Sequence, residues 1–292
     1  MISTEQKRRI VGEIASRSKN YASNAAFAQA LEINPAQLSR LLKGEHDKVL
    51  SDDNFLRIAQ EMGIDLKENE WKTAKTPTFA KITSQLATCQ SESISAMMID
   101  EAGVGKTHAA KEYVKTHANS IYIDCSQVKS RQLLIREIAR KFGVNPRGRY
   151  ADVYKNLVFY INTSSQAPLI ILDEAGDLQY AAFLELKALW NATENMCGFY
   201  MMGADGLKAK IERNIDNEKV GYTEMFRRFG SRFQKSCPDG KEASEEFMKE
   251  QISLVAKANG MDNVQKLYVL TGGSLTRLKI EYLKAKRNGQ AR

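Results

Sequence analysis

Between Asp100 and Thr107, two glycines, Gly103 and Gly105, stand just ahead of a lysine and a hydroxyl, Lys106 and Thr107. Glycines at this spacing let the backbone curl until its N–H groups point at one centre, and a following helix adds the positive end of its dipole. The anion such a cradle fits is a chain of phosphates, with Lys106 reaching the β- and γ-phosphates and the Thr107 hydroxyl ligating Mg²⁺. The expected nucleotide contacts therefore run through Ala102, Gly103, Val104, Gly105, Lys106, Thr107 and His108. One position departs from the pattern. The consensus opens with glycine, and here Asp100 stands there, a carboxylate that weakens triphosphate binding unless it points away.

Further along, Pro168 to Leu172 is an apolar run ending in two carboxylates, Asp173 and Glu174. In a nucleotide site Asp173 would hold Mg²⁺ through water, and Glu174 would polarise the attacking water. A neighbouring strand, ending at Gly203, presents Asp205 as the polar group that senses the γ-phosphate, a position more often filled by Asn, Ser or Thr. Arg227, Arg228 and Arg232 crowd ahead of another short apolar run. An arginine given by one subunit to its neighbour's site stabilises phosphoryl transfer by a factor on the order of 10³–10⁵. Arg232, in a Ser-Arg-Phe context at a strand entry, is the first choice. Arg277, after Gly272 and Gly273, can reach back to the γ-phosphate from a C-terminal helix.

Positioning these groups requires strands that end at the phosphate loop and at Asp173. Short apolar runs at Ile94–Ile99, Ser120–Cys125, Leu169–Asp173 and Gly198–Gly203, with a fifth near Phe233–Ser236, alternate with amphipathic stretches of helical period. That rhythm predicts a parallel sheet covered on both faces by helices, with ligands at the carboxyl ends of the strands. After about Lys241 the pattern is purely helical, with three helices forming a lid. The basic residues Arg277, Lys279, Lys284, Lys286, Arg287 and Arg292 lie in its last part.

Ahead of the sheet, the first 65 or so residues carry their own helical pattern. Thr4 could cap the first helix. Asn24–Leu31 and Pro35–Leu42, joined by a turn, have the spacing of a phage-repressor helix-turn-helix, with a further helix from Ser51 to Met62. In that geometry Gln37, Ser39, Arg40 and Lys43 would face a major groove or its phosphates. A helical bundle used for protein contacts is the alternative. The division expected is 1–65 helix-turn-helix, 66–78 polar linker docked by Trp71, 79–240 α/β core, and 241–292 lid and tail.

The chain of 292 residues carries a net charge of +8, compatible with a nucleic-acid partner. It has no apolar run near the roughly 20 residues that span a bilayer. Its four cysteines and three histidines are too scattered to suggest a disulfide framework or zinc site. A cytoplasmic protein is expected.

From about Phe79 to Lys286 these motifs resemble the AAA+ ATPases, the P-loop NTPases with a helical lid, and in particular the initiator-like clade in which Ser-Arg-Phe and Gly-Gly-x-x-x-Arg elements recur. With a helix-turn-helix in front, the chain is similar to the target-selection ATPases of DNA transposition. The resemblance implies ATP and Mg²⁺ as ligands, and double-stranded DNA, a transposase and further copies of the chain as partners. It implies a helical filament on DNA of little sequence preference, gripped in part by Lys208, Lys210 and Arg213, and disassembled by hydrolysis through Glu174 and Arg232. A helicase loader or replication initiator, and a nucleotide-switched transcriptional regulator, remain as alternatives.

Overall fold

A computed structural model describes residues 2–64, 66, 71–287 and 289. The linker residues Asp65, Lys67, Glu68, Asn69 and Glu70, and Arg292 of the tail, lie outside the described residues.

Four helices open the chain: α1 (Thr4–Arg17), α2 (Asn24–Ala30), α3 (Pro35–Leu42) and α4 (Asp52–Glu61). The cap of α1 is Ser3 rather than Thr4. The Ser3 hydroxyl accepts from the Gln6 N–H while the Gln6 side chain accepts from the Ser3 N–H, closing a capping box one residue earlier than expected. Asn34 caps α3 in the same reciprocal way with Gln37, and Pro35 occupies the first turn. Phe27, Leu31, Leu38 and Leu41 share one core with Ile10, Ile14, Phe55 and Ile58, and Ile33 packs on its edge.

The segment after Trp71 is tied to the lid. Lys72 N–H donates to Asn259 Oδ1 at 2.7 Å, and Asn259 Nδ2 donates back to Lys72 O at 3.0 Å. Pro77 then starts a helix, α5 (Pro77–Ser91), that the sequence pattern left unassigned. Thr76 caps it, and Ile82, Leu86 and Cys89 form its buried face.

The core proper follows as β1 (Ser95–Ile99), α6 (Lys106–Thr116), β2 (Ser120–Asp124), α7 (Arg131–Lys141), α8 (Tyr150–Thr163), β3 (Leu169–Asp173), α9 (Tyr180–Ala192), β4 (Gly198–Gly203), α10 (Asp205–Asp216), α11 (Tyr222–Arg228) and β5 (Phe233–Gln234). All five strands are parallel, in the order β2-β3-β4-β1-β5. β3 and β4 are buried along their whole length, as continuous apolar runs in a sheet covered on both faces must be. One face packs under α5 and α6 through Ile82, Leu86, Ala109, Ala110 and Tyr113, and the other under α7 to α11. β5 is shorter than the run to Ser236 suggested, because Ser236 and Cys237 turn their N–H groups to a side chain instead of a strand.

Three helices close the chain, α12 (Lys241–Ala258), α13 (Val264–Thr271) and α14 (Leu275–Arg287). Ile252, Val255, Ala256, Leu267 and Leu278 form their core, and Trp71 packs against it with its ring 5.2 Å from that of Tyr282. The four cysteines are buried free thiols.

Candidate nucleotide site

The parallel sheet delivers the loop after β1 and the end of β3 to the same edge. Gly103 and Gly105 both take left-handed φ angles, +85° and +103°, which an L side chain resists, and Gly105 is the residue from which α6 begins. Val104 is fully buried beneath them, so the loop is anchored by its apolar residue while its glycines curl.

Lys106 is buried, and its ammonium donates to the main-chain oxygens of Asp100 at 2.6 Å and Glu101 at 2.7 Å. Burial lowers its pKa, and the carboxylates of Asp100, Asp173, Glu174 and Asp205 oppose that shift. Thr107 Oγ1 donates to Asp173 Oδ2 at 2.6 Å, and the Tyr122 hydroxyl donates to the same oxygen at 2.9 Å. Burial, reinforced by the Asp173 charge, drives the Tyr122 phenol well above its ordinary range, so it remains a donor. A hydroxyl and a carboxylate in contact are the hard oxygen ligands that Mg²⁺ takes, and a lysine held only by carbonyls is free to move to a phosphate. These residues fit a magnesium nucleotide.

Glu174 follows in the left-handed region, φ +50°, which turns it out of the strand direction and leaves it exposed. Partial burial and the charge of Asp173 raise its pKa, with Lys106 acting the other way. Asp205 opens α10, exposed, just beyond β4.

Asp100 answers the question its sequence position posed. Its carboxylate is spent on the chain after β5, accepting from Ser236 N–H at 2.7 Å, from Cys237 N–H at 3.1 Å and from the Ser236 hydroxyl. The acid is thus saturated by donors other than a phosphate.

The lid meets the loop directly. Leu275 N–H, at the start of α14, donates to Gly103 O at 2.9 Å, and a Cβ on Gly103 would come within 2.4 Å of Ser274 Oγ. Arg277 lies one turn into α14 and is exposed. His108 turns from the loop, its Nε2 3.0 Å from Thr73 Oγ1 in the segment that leads to α5. Of the three clustered arginines, Arg228 packs its guanidinium 4.5 Å above the Trp190 ring, while Arg227 and Arg232 are exposed.

The residues expected to meet DNA divide. Ser39 and Arg40 on α3, and Lys43 just after it, are exposed, with Arg40 Nε paired to Glu45 at 2.7 Å. Gln37 is turned inward, its amide completing the α3 capping box and donating to Val49 O at 3.1 Å. On α10, Lys208 and Arg213 are exposed, but Lys210 donates to Gly176 O at 2.7 Å and Leu178 O at 2.6 Å, holding the turn after Glu174. The Gln37 tie to Val49 O and the Lys210 ties left no mark in the sequence, because each depends on carbonyls brought close only by the fold, whereas the Asn34–Gln37 capping box is a local pattern.

Sequence comparison finds a match to the AAA domain family over residues 95–211. Over 286 residues the chain is 25% identical to the Mu-like prophage FluMu DNA transposition protein B of Haemophilus influenzae, covering 94% of each chain. Among solved structures, the Aeropyrum pernix ORC1 protein in complex with DNA matches with a TM-score of 0.56 and 14% identity. That likeness covers 76% of this chain, which spans 63% of the ORC1 chain.

Proposed function

From a chain with the AAA+ P-loop NTPase fold, similar along nearly its whole length to a Mu-like prophage transposition protein B, we propose an ATPase that assembles as a helical filament on DNA and delivers that DNA to a transposase. The observation that carries the chemistry is the convergence of Lys106, Thr107, Asp173 and Glu174 where β1 and β3 end, with Thr107 already bonded to Asp173. Lys106 leaves the Asp100 and Glu101 carbonyls for the β- and γ-phosphates of ATP. Thr107 and Asp173 would hold Mg²⁺, which would offset the charge of the phosphates. Glu174 orients the attacking water. Arg277 and Asp205 read the γ-phosphate, and Arg232 completes the site of the neighbouring subunit.

Arg232 suits a role in trans because it is exposed and, among the described residues, makes no ion pair within its own chain. DNA contact falls to phosphate-binding cations, Lys208 and Arg213 on α10 and Arg40 and Lys43 at the end of α3, with the Ser39 hydroxyl beside them, in a helix-turn-helix. Contacts of this kind favour coating any duplex over reading a sequence. The reading places residues 1–65 as the helix-turn-helix, 66–78 as linker, 79–240 as core and 241–292 as lid and tail, in a cytoplasmic protein; among the described residues no helix is long and apolar enough to cross a membrane.

Electron microscopy of the protein with random-sequence duplex DNA tests this reading. Continuous filaments with ATP or a non-hydrolysable analogue, and none with ADP, are expected. Particles confined to a few sites would point to a regulator, and closed rings formed without DNA to a loader, and either would overturn it.

A further inference from the structure

Asp100 stands where glycine opens the usual phosphate loop, and it is 1% exposed. A buried carboxylate persists only where donors saturate it; Oδ1 accepts from the adjacent Glu101 N–H at 2.9 Å, while all three donors to Oδ2 come from one distant segment. β1 and β5 are paired in parallel register, Met98 beside Gln234, so Asp100 and Ser236 leave the sheet side by side. The Ser236 hydroxyl is also 2.9 Å from Thr78 Oγ1, Thr78 N–H donates to Gln251 Oε1 of α12 at 3.3 Å, and Cys237 Sγ is 3.0 Å from Ser244 Oγ of α12. Thr78 and Gln251 are fully buried. One polar network therefore runs from the phosphate loop through the end of β5 into the first lid helix. The strand it grips is the one entered at Arg232. At its other end, the main-chain oxygen of Asp100 holds Lys106, which a nucleotide draws away.

We propose that Asp100 is a positioning residue that locks the strand following Arg232, and the lid, to the phosphate loop of its own subunit, so that the nucleotide state of one site sets the arginine presented to the next. This rests on the reading of Arg232 as completing a neighbour's site. The Asp100 carboxylate touches no reacting atom; it acts through the Ser236 and Cys237 N–H groups.

Mixed assemblies on duplex DNA separate the two ideas. Glu174→Gln chains bind ATP and offer Arg232 without hydrolysing; Arg232→Ala chains hydrolyse only if a neighbour supplies the arginine. Each alone is expected to be inactive and the mixture active. Adding Asp100→Asn to the Glu174→Gln donor should cut the activity of the mixture by about a hundredfold, the cost of a misplaced catalytic group. Fluorescent-nucleotide binding by that donor should stay as tight as in Glu174→Gln alone. Ser236→Ala in the donor, which keeps both main-chain donors, should give a smaller fall, and it carries the test if the Asn variant fails to fold. Full restoration by the Asp100→Asn and Ser236→Ala donors, or a loss that merely follows weaker nucleotide binding, overturns the proposal. Silence of the simple Glu174→Gln and Arg232→Ala mixture instead removes Arg232 from the neighbouring site, and the coupling with it.

Discussion

Thr107 Oγ1 and Asp173 Oδ2 stand 2.6 Å apart, joining the first turn of α6 to the end of β3. The two oxygens are preset, with Tyr122 steadying the carboxylate. Replacing Asp173 by Asn keeps the shape and removes the charge, so Mg²⁺ should no longer strengthen nucleotide binding. Hydrolysis should fall by at least about a hundredfold, since a bound metal stabilises the transition state by several kcal/mol. Calorimetric titration with ADP, with and without Mg²⁺, checks this; an unchanged Mg²⁺ effect would remove Asp173 from the metal site.

Glu174 gives a pH dependence. Burial and Asp173 hold its folded pKa above the ordinary 4.5. Only the carboxylate can accept a proton or hydrogen bond from water, so turnover is full above the raised pKa and is lost as pH falls through it. The acid limb of kcat/KM, which reports the protein before nucleotide and metal bind, should therefore lie above 4.5. A limb centred at or below that value rules out Glu174 as the group being titrated.

The sheet, and the loop and strand end that make the candidate site, were legible because both are written in local pattern. Short continuous apolar runs such as Leu169–Leu172 suit a strand covered on both faces, and Gly103 and Gly105 stand just ahead of Lys106. What it hid depends on partners distant in the chain. Pro77–Ser91 mixes threonines, serines and glutamines with a sparse apolar stripe, and it becomes a helix by packing Ile82, Leu86 and Cys89 on the sheet. Asp100 read as a defect until Ser236 and Cys237 were beside it, and the interior ties of Gln37 and Lys210 were equally invisible.

The N-terminal helices and the core are joined through Arg140. Its Nη1 donates to Ala30 O and to Glu61 Oε2, both at 3.0 Å, and its Nη2 to Glu137 at 2.7 Å. The side chain is mostly buried, with 13% exposed. Arg140→Ala strands these acceptors and should cost about 2 kcal/mol, the scale of hydrogen bonds to charged groups. Calorimetry should show Tm lowered by several degrees, and limited proteolysis should cut first between α4 and α5. A Tm equal to that of the parent would mean that the other contacts between the two parts suffice.

Lys208, Arg213 and Lys210 lie on one helix but should behave differently. Lys208 and Arg213 are exposed, whereas the Lys210 ammonium is engaged by the carbonyls of Gly176 and Leu178, and its burial lowers its pKa. If the exposed pair neutralises DNA phosphates, each change to Ala should weaken binding to every sequence alike and reduce the slope of log K against log salt by about 0.9. Lys210→Ala should leave that slope alone and instead loosen the turn behind Glu174, lowering turnover and Tm together. Binding measured at several salt concentrations separates the two outcomes. A slope that changes with Lys210 and holds with Lys208 and Arg213 would move the DNA-facing surface off the exposed side of α10.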